Sequence, residues 1–337
     1  MCKVAIIPAI KKDKQHLAVK LIKALGTSMS VGNNDGLGYA AIDSTGNLFG
    51  ERWWINSTAF QNSAPQDSDL ASSLFPGYAK VKQATNVHVI HNSFGDGTLE
   101  DVVAITLHTR FATSGKGFEN THPFVEDDTS LIHNGVISNT DDFKFTLSTC
   151  DSEAILKSYL KHNVGSDIKS VQSMASDLYG YYVAALFARD SVGNRVLDVI
   201  KGNNDALVCA WIKELDTYVF CSSEITLSTA CKEAGVTMGT ACEFLDGIAM
   251  RIDPYSGAML EGTSFNPNLR SKPVVPTYNN NYYNSFKNTP AIPMKSHTHK
   301  ARRNLSRAEI EYMKLPIKIT KSVGNWNGWE YTGYRGE

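Results

Sequence analysis

Short strand-like segments dominate the chain, and the few helix-like segments stand between runs of strands. Helices are recognised by apolar residues at three- and four-residue spacing, and strands by short apolar or alternating runs. A doubly wound parallel sheet would require strands and helices in strict alternation, which this chain does not have. The order of the segments therefore predicts a layered α+β fold.

The predicted segments are numerous and short. The pattern predicts strands over 2–7, 38–43, 47–54, 102–111, 131–133, 181–187, 196–200, 206–212, 217–221 and 247–252. It predicts helices over 14–25, 152–161, 171–178 and 225–234, the first of them ending at Gly26. Asp151 stands immediately before the second helix, where an acidic side chain is favoured as a cap.

Composition narrows the class of protein. Hydrophobic residues make up 42% of the 337 residues and charged residues 20%, which is typical of a globular chain. The net charge of -1 argues against a nucleic-acid partner, because such proteins carry an excess of Lys and Arg. The apolar runs are shorter than the ~18 residues of a membrane span. The run 4–10 leads into charged residues without a cleavage site, so we expect a cytoplasmic protein with free thiols.

The composition changes near residue 265. Residues 265–294 hold seven Asn and five of the 11 Pro of the chain, and they show no hydrophobic period. A basic cluster at 295–303 follows, then a short helix with Ser306 and Glu309 spaced as a capping box, and then an aromatic end. We therefore predict one domain over 1–262 and an irregular extension over 263–337, which is the predicted docking element.

Four motifs occur in a fixed order along the first domain. They are Met1-Cys2, residues 108–113 (His-Thr-Arg-Phe-Ala-Thr), residues 120–124 (Asn-Thr-His-Pro-Phe) with 133–139 (His-Asn-Gly-Val-Ile-Ser-Asn), and residues 151–153 (Asp-Ser-Glu). Residues 35–38 (Asp-Gly-Leu-Gly) match a further Asp-x-x-Gly element. Together, over roughly residues 1–255, they resemble the class II glutamine amidotransferases. The resemblance implies a four-layer αββα sandwich of two antiparallel sheets, the N-terminal nucleophile hydrolase fold.

Cys2 is the predicted nucleophile. Cysteine is small, so Met1 is expected to be removed, which leaves Cys2 with a free α-amine. An α-amine has a reference pKa of about 7.7–8.0 and can take the thiol proton near neutral pH. Without the other motifs, a cysteine at position 2 would be read as incidental.

Asn134 and Gly135 can donate hydrogen bonds to an oxyanion, through a side-chain amide and a backbone N–H. The resemblance assigns them to the oxyanion hole, whereas an Asn-Gly pair by itself is also typical of a hairpin turn. Lys3 departs from the family, which usually has Gly after the nucleophile; it could assist the thiol or point away from it.

Arg110 and Asp151 carry the charges that a free amino acid requires. An arginine can bind an α-carboxylate with two parallel hydrogen bonds, and an aspartate can accept from an α-ammonium. The resemblance gives them these roles, and it makes residues 111–118, with Phe111 and Thr113, the loop that closes over the substrate. Without the resemblance, Arg110 would be interpreted as part of a surface ion pair and Asp151 as a helix cap.

No metal site or cofactor is expected. His88 with His91, and His297 with His299, have no carboxylate or cysteine partner at ligand spacing. Neither a Walker loop nor a dinucleotide-binding fingerprint is present.

The predicted function is hydrolysis of glutamine to glutamate and ammonia, with the ammonia passing to a separately encoded synthase or ligase. Roughly 75 residues follow the motif region, too few for an acceptor domain. Two alternatives stay open: an amide hydrolase acting on another small amide or γ-glutamyl compound, and a catalytically silent binding module.

Overall fold

Two antiparallel β-sheets make up most of the computed structural model, which describes residues 2–31, 33, 35–54, 101–111, 117–203 and 206–268. The strands are β1 (Lys3–Ile7), β2 (Gly36–Asp43), β3 (Leu48–Trp54), β4 (Val102–Arg110), β5 (Phe124–Glu126), β6 (Thr129–Ile137), β7 (Gly180–Arg189), β8 (Arg195–Lys201), β9 (Val208–Ile212), β10 (Thr217–Cys221), β11 (Cys242–Glu243), β12 (Ile248–Ile252) and β13 (Met259–Ser264). One sheet has the order β11-β9-β10-β1-β4-β2-β3, and the other has the order β13-β12-β8-β7-β6-β5.

In the described part of the chain, four α-helices cover the outer faces of the two sheets. They are α1 (Gln15–Ser30), α2 (Ser152–Lys161), α3 (Val171–Asp177) and α4 (Glu224–Ala234). Apolar residues of α1 and α4 share a buried core with the seven-stranded sheet, and those of α2 and α3 share one with the six-stranded sheet. A third core, with Val4, Ile132 and Val183, lies between the sheets. The predicted four-layer αββα fold is confirmed.

The register of β1 against β4 determines which side chains face the space between the sheets. Lys3 lies opposite Thr109, and Val4 lies opposite His108. Side chains alternate between the two faces of a strand. Because Val4 belongs to the core between the sheets, the even-numbered positions of β1 face inward, which directs Cys2 to the same space.

Two predicted segments differ from the observed elements, because tertiary packing determines where the helix ends and how far the strand extends. Helix α1 continues through Gly26 to Ser30, because Gly26 and Met29 are buried and extend the apolar face. Strand β6 is longer than predicted and contains Asn134 and Gly135, opposite Val183 and Tyr182 of β7. The Asn-Gly pair is therefore part of a strand and forms no hairpin turn.

Several predictions concern residues outside the described ones. They are Thr113, His88, His91, His297, His299, the basic cluster 295–303 and most of the predicted extension 263–337. Strand β13 runs two residues past the predicted boundary at 262, and the division into 1–262 and 263–337 stays a prediction. Among the described residues, no helix combines the length and the apolar character that crossing a bilayer requires.

Candidate active site

One pocket brings together five of the seven predicted site residues. Its walls include Cys2, Arg110, Phe111, Gly135 and Asp151, and four further residues line it: His122, His133, Cys150 and Ser152. Asn134 is buried but does not line this pocket, and Thr113 lies outside the described residues. The pocket therefore combines a thiol, a guanidinium and a carboxylate from three distant parts of the chain.

The Cys2 thiol lies at the start of β1, against the end of β4. Its Sγ is 3.7 Å from the carbonyl oxygen of Phe111. Burial raises the pKa of the Cys2 thiol, and the positive charge of Arg110 opposes this only in part. The thiol is therefore protonated at neutral pH, and it needs a base before it can attack a substrate.

Arg110 is the last residue of β4, and only 2% of its surface is exposed. Its carbonyl oxygen accepts a hydrogen bond of 3.1 Å from the backbone N–H of Asp35, which ties it to the start of β2. Its guanidinium donates a hydrogen bond of 3.5 Å to the carbonyl oxygen of Gly117. Because hydrogen bonds hold both the backbone and the side-chain end of Arg110, its guanidinium presents a fixed positive charge to the pocket.

Asp151 precedes α2, but its carboxylate does not cap that helix, contrary to the prediction from the sequence. Instead, Oδ2 accepts a hydrogen bond of 2.7 Å from the backbone N–H of Ile137, and Oδ1 accepts one of 3.3 Å from the thiol of Cys150. Burial raises the pKa of Cys150 to about 12, so this thiol keeps its proton and can donate it. The carboxylate is therefore turned toward β6 and the pocket.

The loop that leads to Asp151 is wrapped around the buried carboxylate of Glu153. That carboxylate accepts hydrogen bonds from the backbone N–H groups of Thr146, Leu147 and Ser148, at 2.6 Å, 3.0 Å and 2.7 Å. The side chain of Asn120 binds the next residue of the loop, accepting from the backbone N–H of Thr149 at 2.8 Å. Glu153 and Asn120 thus position the segment that ends at Asp151.

Asn134 and Gly135 differ in where they point. Gly135 has φ of 144°, a conformation that favours glycine, and it lines the pocket without a Cβ in the way. The Asn134 side chain is on the opposite face of β6, toward the space between the sheets, and its Oδ1 has no partner among the described residues. Gly135 thus borders the pocket itself, while the Asn134 side chain faces the same space between the sheets as Cys2.

Lys3 does not share the direction of Cys2. Its ammonium donates a hydrogen bond of 3.0 Å to the carbonyl oxygen of Val31, which follows α1. Alternation along β1 also places its side chain on the face opposite to that of Cys2. Of the two alternatives for Lys3, the structure favours the one in which it points away from the thiol.

Three buried histidines at the pocket had no predicted role. His122 and His133 line the pocket, and His108 stacks on His122 with 4.1 Å between ring centroids. All three lie inside the motifs that carry the family resemblance, and this is the only signal in the sequence that marks them.

The position of His122 is fixed by close contacts on both sides. A Cβ on Gly38 would lie 2.0 Å from the carbonyl oxygen of His122, so only glycine permits this approach. The Arg52 guanidinium donates to the carbonyl oxygens of Thr121 and Pro123, at 2.9 Å and 3.3 Å. The segment around His122 is therefore packed closely against β2 and hydrogen-bonded to a side chain of β3.

No group of three or more His, Cys, Asp or Glu side chains in the described part of the chain is arranged to hold a metal ion. This holds for the three histidines at the pocket as well. The residues at the site are those of acid–base and nucleophilic chemistry.

Comparisons with known proteins concern the fold and a short part of the sequence. No protein-family model matches the chain. The glutamine–fructose-6-phosphate aminotransferase (isomerizing) of Aliivibrio fischeri (strain ATCC 700601 / ES114) is 36% identical over an alignment of 93 residues, which covers 24% of this chain and 15% of that protein. The glutamine phosphoribosylpyrophosphate amidotransferase of B. subtilis, solved with ADP and GMP, has a TM-score of 0.53 and 16% identity over 80% of this chain and 50% of that one.

This chain has the fold of a class II glutamine amidotransferase domain. The resemblance predicted from the motifs is thereby confirmed at the level of the fold. A glutamine aminotransferase class-II domain protein of Silicibacter pomeroyi also matches, at 10% identity over 79% of this chain and 99% of that one, with a low TM-score of 0.36. The chain spans half the length of the B. subtilis structure, and the short matched segment is 15% of the A. fischeri protein.

Proposed function

We propose that this chain is a glutamine amidotransferase subunit, which hydrolyses the side-chain amide of glutamine to glutamate and ammonia. The observation that carries the proposal is the shared pocket of Cys2, Arg110 and Asp151. The names of the matched A. fischeri and B. subtilis proteins describe enzymes that use glutamine, which supports the same substrate here.

The two charges of the pocket fit a free amino acid. In the proposal, Arg110 binds the α-carboxylate of glutamine and Asp151 binds its α-ammonium. Arg110 is only 2% exposed and Asp151 is half-buried. Water therefore screens both charges only weakly. A peptide-bound glutamine lacks both charges, so it offers no oppositely charged group to Arg110 or to Asp151. Phe111, which borders the pocket, and Thr113 are proposed to contact the substrate.

Cys2 is the proposed nucleophile, after removal of Met1. The α-amine of Cys2 takes the thiol proton, and the thiolate attacks the amide carbon of glutamine. The tetrahedral intermediate collapses as the C–N bond breaks, and ammonia leaves with the proton from the α-amine. Water then attacks the γ-glutamyl thioester, releasing glutamate and restoring the thiol.

Asn134 and Gly135 are the proposed oxyanion donors. Replacing Asn134 with alanine is expected to lower kcat by roughly 10²–10³, the usual loss for one such donor. Steady-state kinetics of glutamate formation measure this, with kcat and KM determined separately. A change confined to KM would contradict the role, because an oxyanion donor acts on the transition state and not on bound glutamine.

Recognition of glutamine is tested with Arg110→Lys and Asp151→Asn. Each variant is expected to lower kcat/KM by about 2–4 kcal/mol in transition-state stabilisation, since lysine loses the two-pronged geometry and asparagine loses the charge. The matched controls are Arg189→Lys and Asp141→Asn, which change exposed residues and should leave kcat/KM unaltered. Normal glutamine hydrolysis by both site variants would mean that the substrate is held differently or is not glutamine.

The acceptor of the ammonia is proposed to be a separate synthase or ligase. The sequence has neither a Walker loop nor a dinucleotide-binding fingerprint, and the proposal therefore assigns activation of the acceptor to the separate enzyme. The cytoplasmic location likewise remains a prediction.

A further inference from the structure

A cluster of three buried imidazole rings lies beside the Cys2 pocket. The ring centroids of His108 and His122 are 4.1 Å apart, and those of His122 and His133 are 6.3 Å apart. Each of these residues is at most 2% exposed. Since His122 and His133 also line the pocket, the cluster adjoins the space in front of Cys2.

The hydrogen bonds of the cluster are incomplete. His108 Nε2 is 3.0 Å from the carbonyl oxygen of His133, and His133 Nδ1 is 2.7 Å from the hydroxyl oxygen of Ser152. Within the described part of the chain, the remaining ring nitrogens of the cluster have no partner: His108 Nδ1, His133 Nε2 and both nitrogens of His122. A buried polar atom without a partner destabilises the fold, so four such atoms together point to a bound polar molecule.

The proton on His108 can be assigned from its partner. A carbonyl oxygen only accepts hydrogen bonds, so Nε2 of His108 must carry the hydrogen. In a neutral ring, Nδ1 then offers a lone pair to a donor. A neutral His122 offers one donor and one acceptor. The cluster is therefore suited to a small molecule that both donates and accepts hydrogen bonds.

The electrostatics of the cluster disfavour a cation. Burial, with the charge of Arg110, lowers the pKa of His108 to about 3, and burial lowers the pKa of His133 to about 4. Burial likewise brings the pKa of His122 well below its usual range. All three rings are therefore neutral at pH 7. The same burial and the same Arg110 charge disfavour an ammonium ion, although Asp151, which faces His133, acts in the opposite direction.

We propose that the ring nitrogens of His108, His122 and His133 form a binding site for the neutral ammonia that is released from glutamine. This proposal rests on the proposed hydrolysis of glutamine at Cys2. Water has the same hydrogen-bonding chemistry as ammonia, but ammonia is produced in the adjoining pocket, where the C–N bond breaks. Neutral rings of low pKa hold ammonia without protonating it, which keeps its lone pair available for an acceptor.

The reverse reaction provides a test for ammonia bound beside the thioester. Bound ammonia attacks the γ-glutamyl thioester of Cys2, the C–N bond forms, and the C–S bond breaks with its electron pair going to sulfur. One proton of the ammonia passes to the thiolate through the α-amine of Cys2, so glutamine and the free thiol are regenerated. With ¹⁵N-ammonium chloride and unlabelled glutamine, this step places ¹⁵N in the side-chain amide.

The measured quantity is the rate of ¹⁵N entry into glutamine divided by the rate of glutamate formation, in the full-length protein. His122→Phe keeps an aromatic ring but removes both nitrogens, and the ratio is expected to fall roughly tenfold, as for the loss of one or two hydrogen bonds. His122→Leu is a second variant that also removes both nitrogens, and the same fall in the ratio is expected for it. It is used if the first variant does not fold. The matched control is His16→Phe, which changes an exposed histidine of α1 and should keep the wild-type ratio.

Each other outcome overturns the proposal in a recognisable way. An unchanged ratio would show that His122 has no part in holding ammonia, and a raised ratio would show that the cluster holds the hydrolytic water instead. A wild-type protein that forms glutamate but incorporates no ¹⁵N would also contradict the ammonia site while leaving the proposed function intact. A wild-type protein that forms neither product would refute the proposed function itself, and the ammonia site with it.

Discussion

The Cys2→Ala variant is expected to have no glutamine hydrolysis and a normal fold. The substitution removes the proposed nucleophile but little volume, from a side chain at the start of β1. Glutamate formation should fall to the background of the assay, and thermal unfolding should match the wild type. The control is Cys242→Ala, which removes an exposed thiol outside the pocket and should retain full activity.

Chemical labelling distinguishes Cys2 from the other thiols. A glutamine analogue with a diazo-ketone electrophile is expected to modify Cys2, with the site located by mass spectrometry of peptides. The same spectra report whether Met1 has been removed, which the proposed use of the α-amine as a base requires. Modification of Cys150 alone would contradict the assignment, although Cys150 lines the same pocket.

The Arg251→Met variant is expected to lose about 3–5 kcal/mol in free energy of unfolding, the usual cost of removing one partner of a buried ion pair. The Arg251 guanidinium donates to both carboxylate oxygens of Asp198, at 2.8 Å and 2.7 Å, and Asp198 also accepts a hydrogen bond of 2.6 Å from Tyr159. Asp198 is completely buried, so the variant leaves a carboxylate without its cation in the core under α2. Chemical denaturation measures the loss.

An exposed ion pair provides the control for this measurement. Lys11 and Asp216 form a salt bridge in which each side chain is about half exposed. Lys11→Met should therefore cost no more than about 1 kcal/mol. Equal losses in the two variants would contradict the importance assigned to burial. The double variant Arg251→Met with Asp198→Asn should recover part of the loss, since it removes the unpaired charge.

The motifs predicted which residues meet at the site, but the local pattern could not predict how they meet. Cys2 and Phe111 are 109 positions apart, and their contact depends on the antiparallel register of β1 against β4. No local signal determines that register. The order and spacing of the motifs were enough to predict which residues form the site. The pairing of the strands determines how those residues are arranged.

Local signals gave the wrong structure where tertiary contacts compete with them. An Asn-Gly pair favours a turn, but pairing with β7 keeps Asn134 and Gly135 in a strand. Asp151 has the position of a helix cap, but the N–H of Ile137 attracts its carboxylate. Strands β5, β11 and β13 were not predicted, because they are short or lie at sheet edges with little apolar pattern. The fold class was predictable because it depends on the order of many segments rather than on any one of them.

The place of β1 in its sheet has a consequence for how the protein responds to heat. The strand is hydrogen-bonded on both sides, by β10 and β4, and residues 4–7 are buried. Amide hydrogens in such a strand exchange with solvent only when the whole domain opens, whereas edge strands such as β13 open at lower cost. We therefore expect the proposed nucleophile to be attached to one of the last parts of the domain to open, and fraying at the sheet edges to leave the position of Cys2 intact.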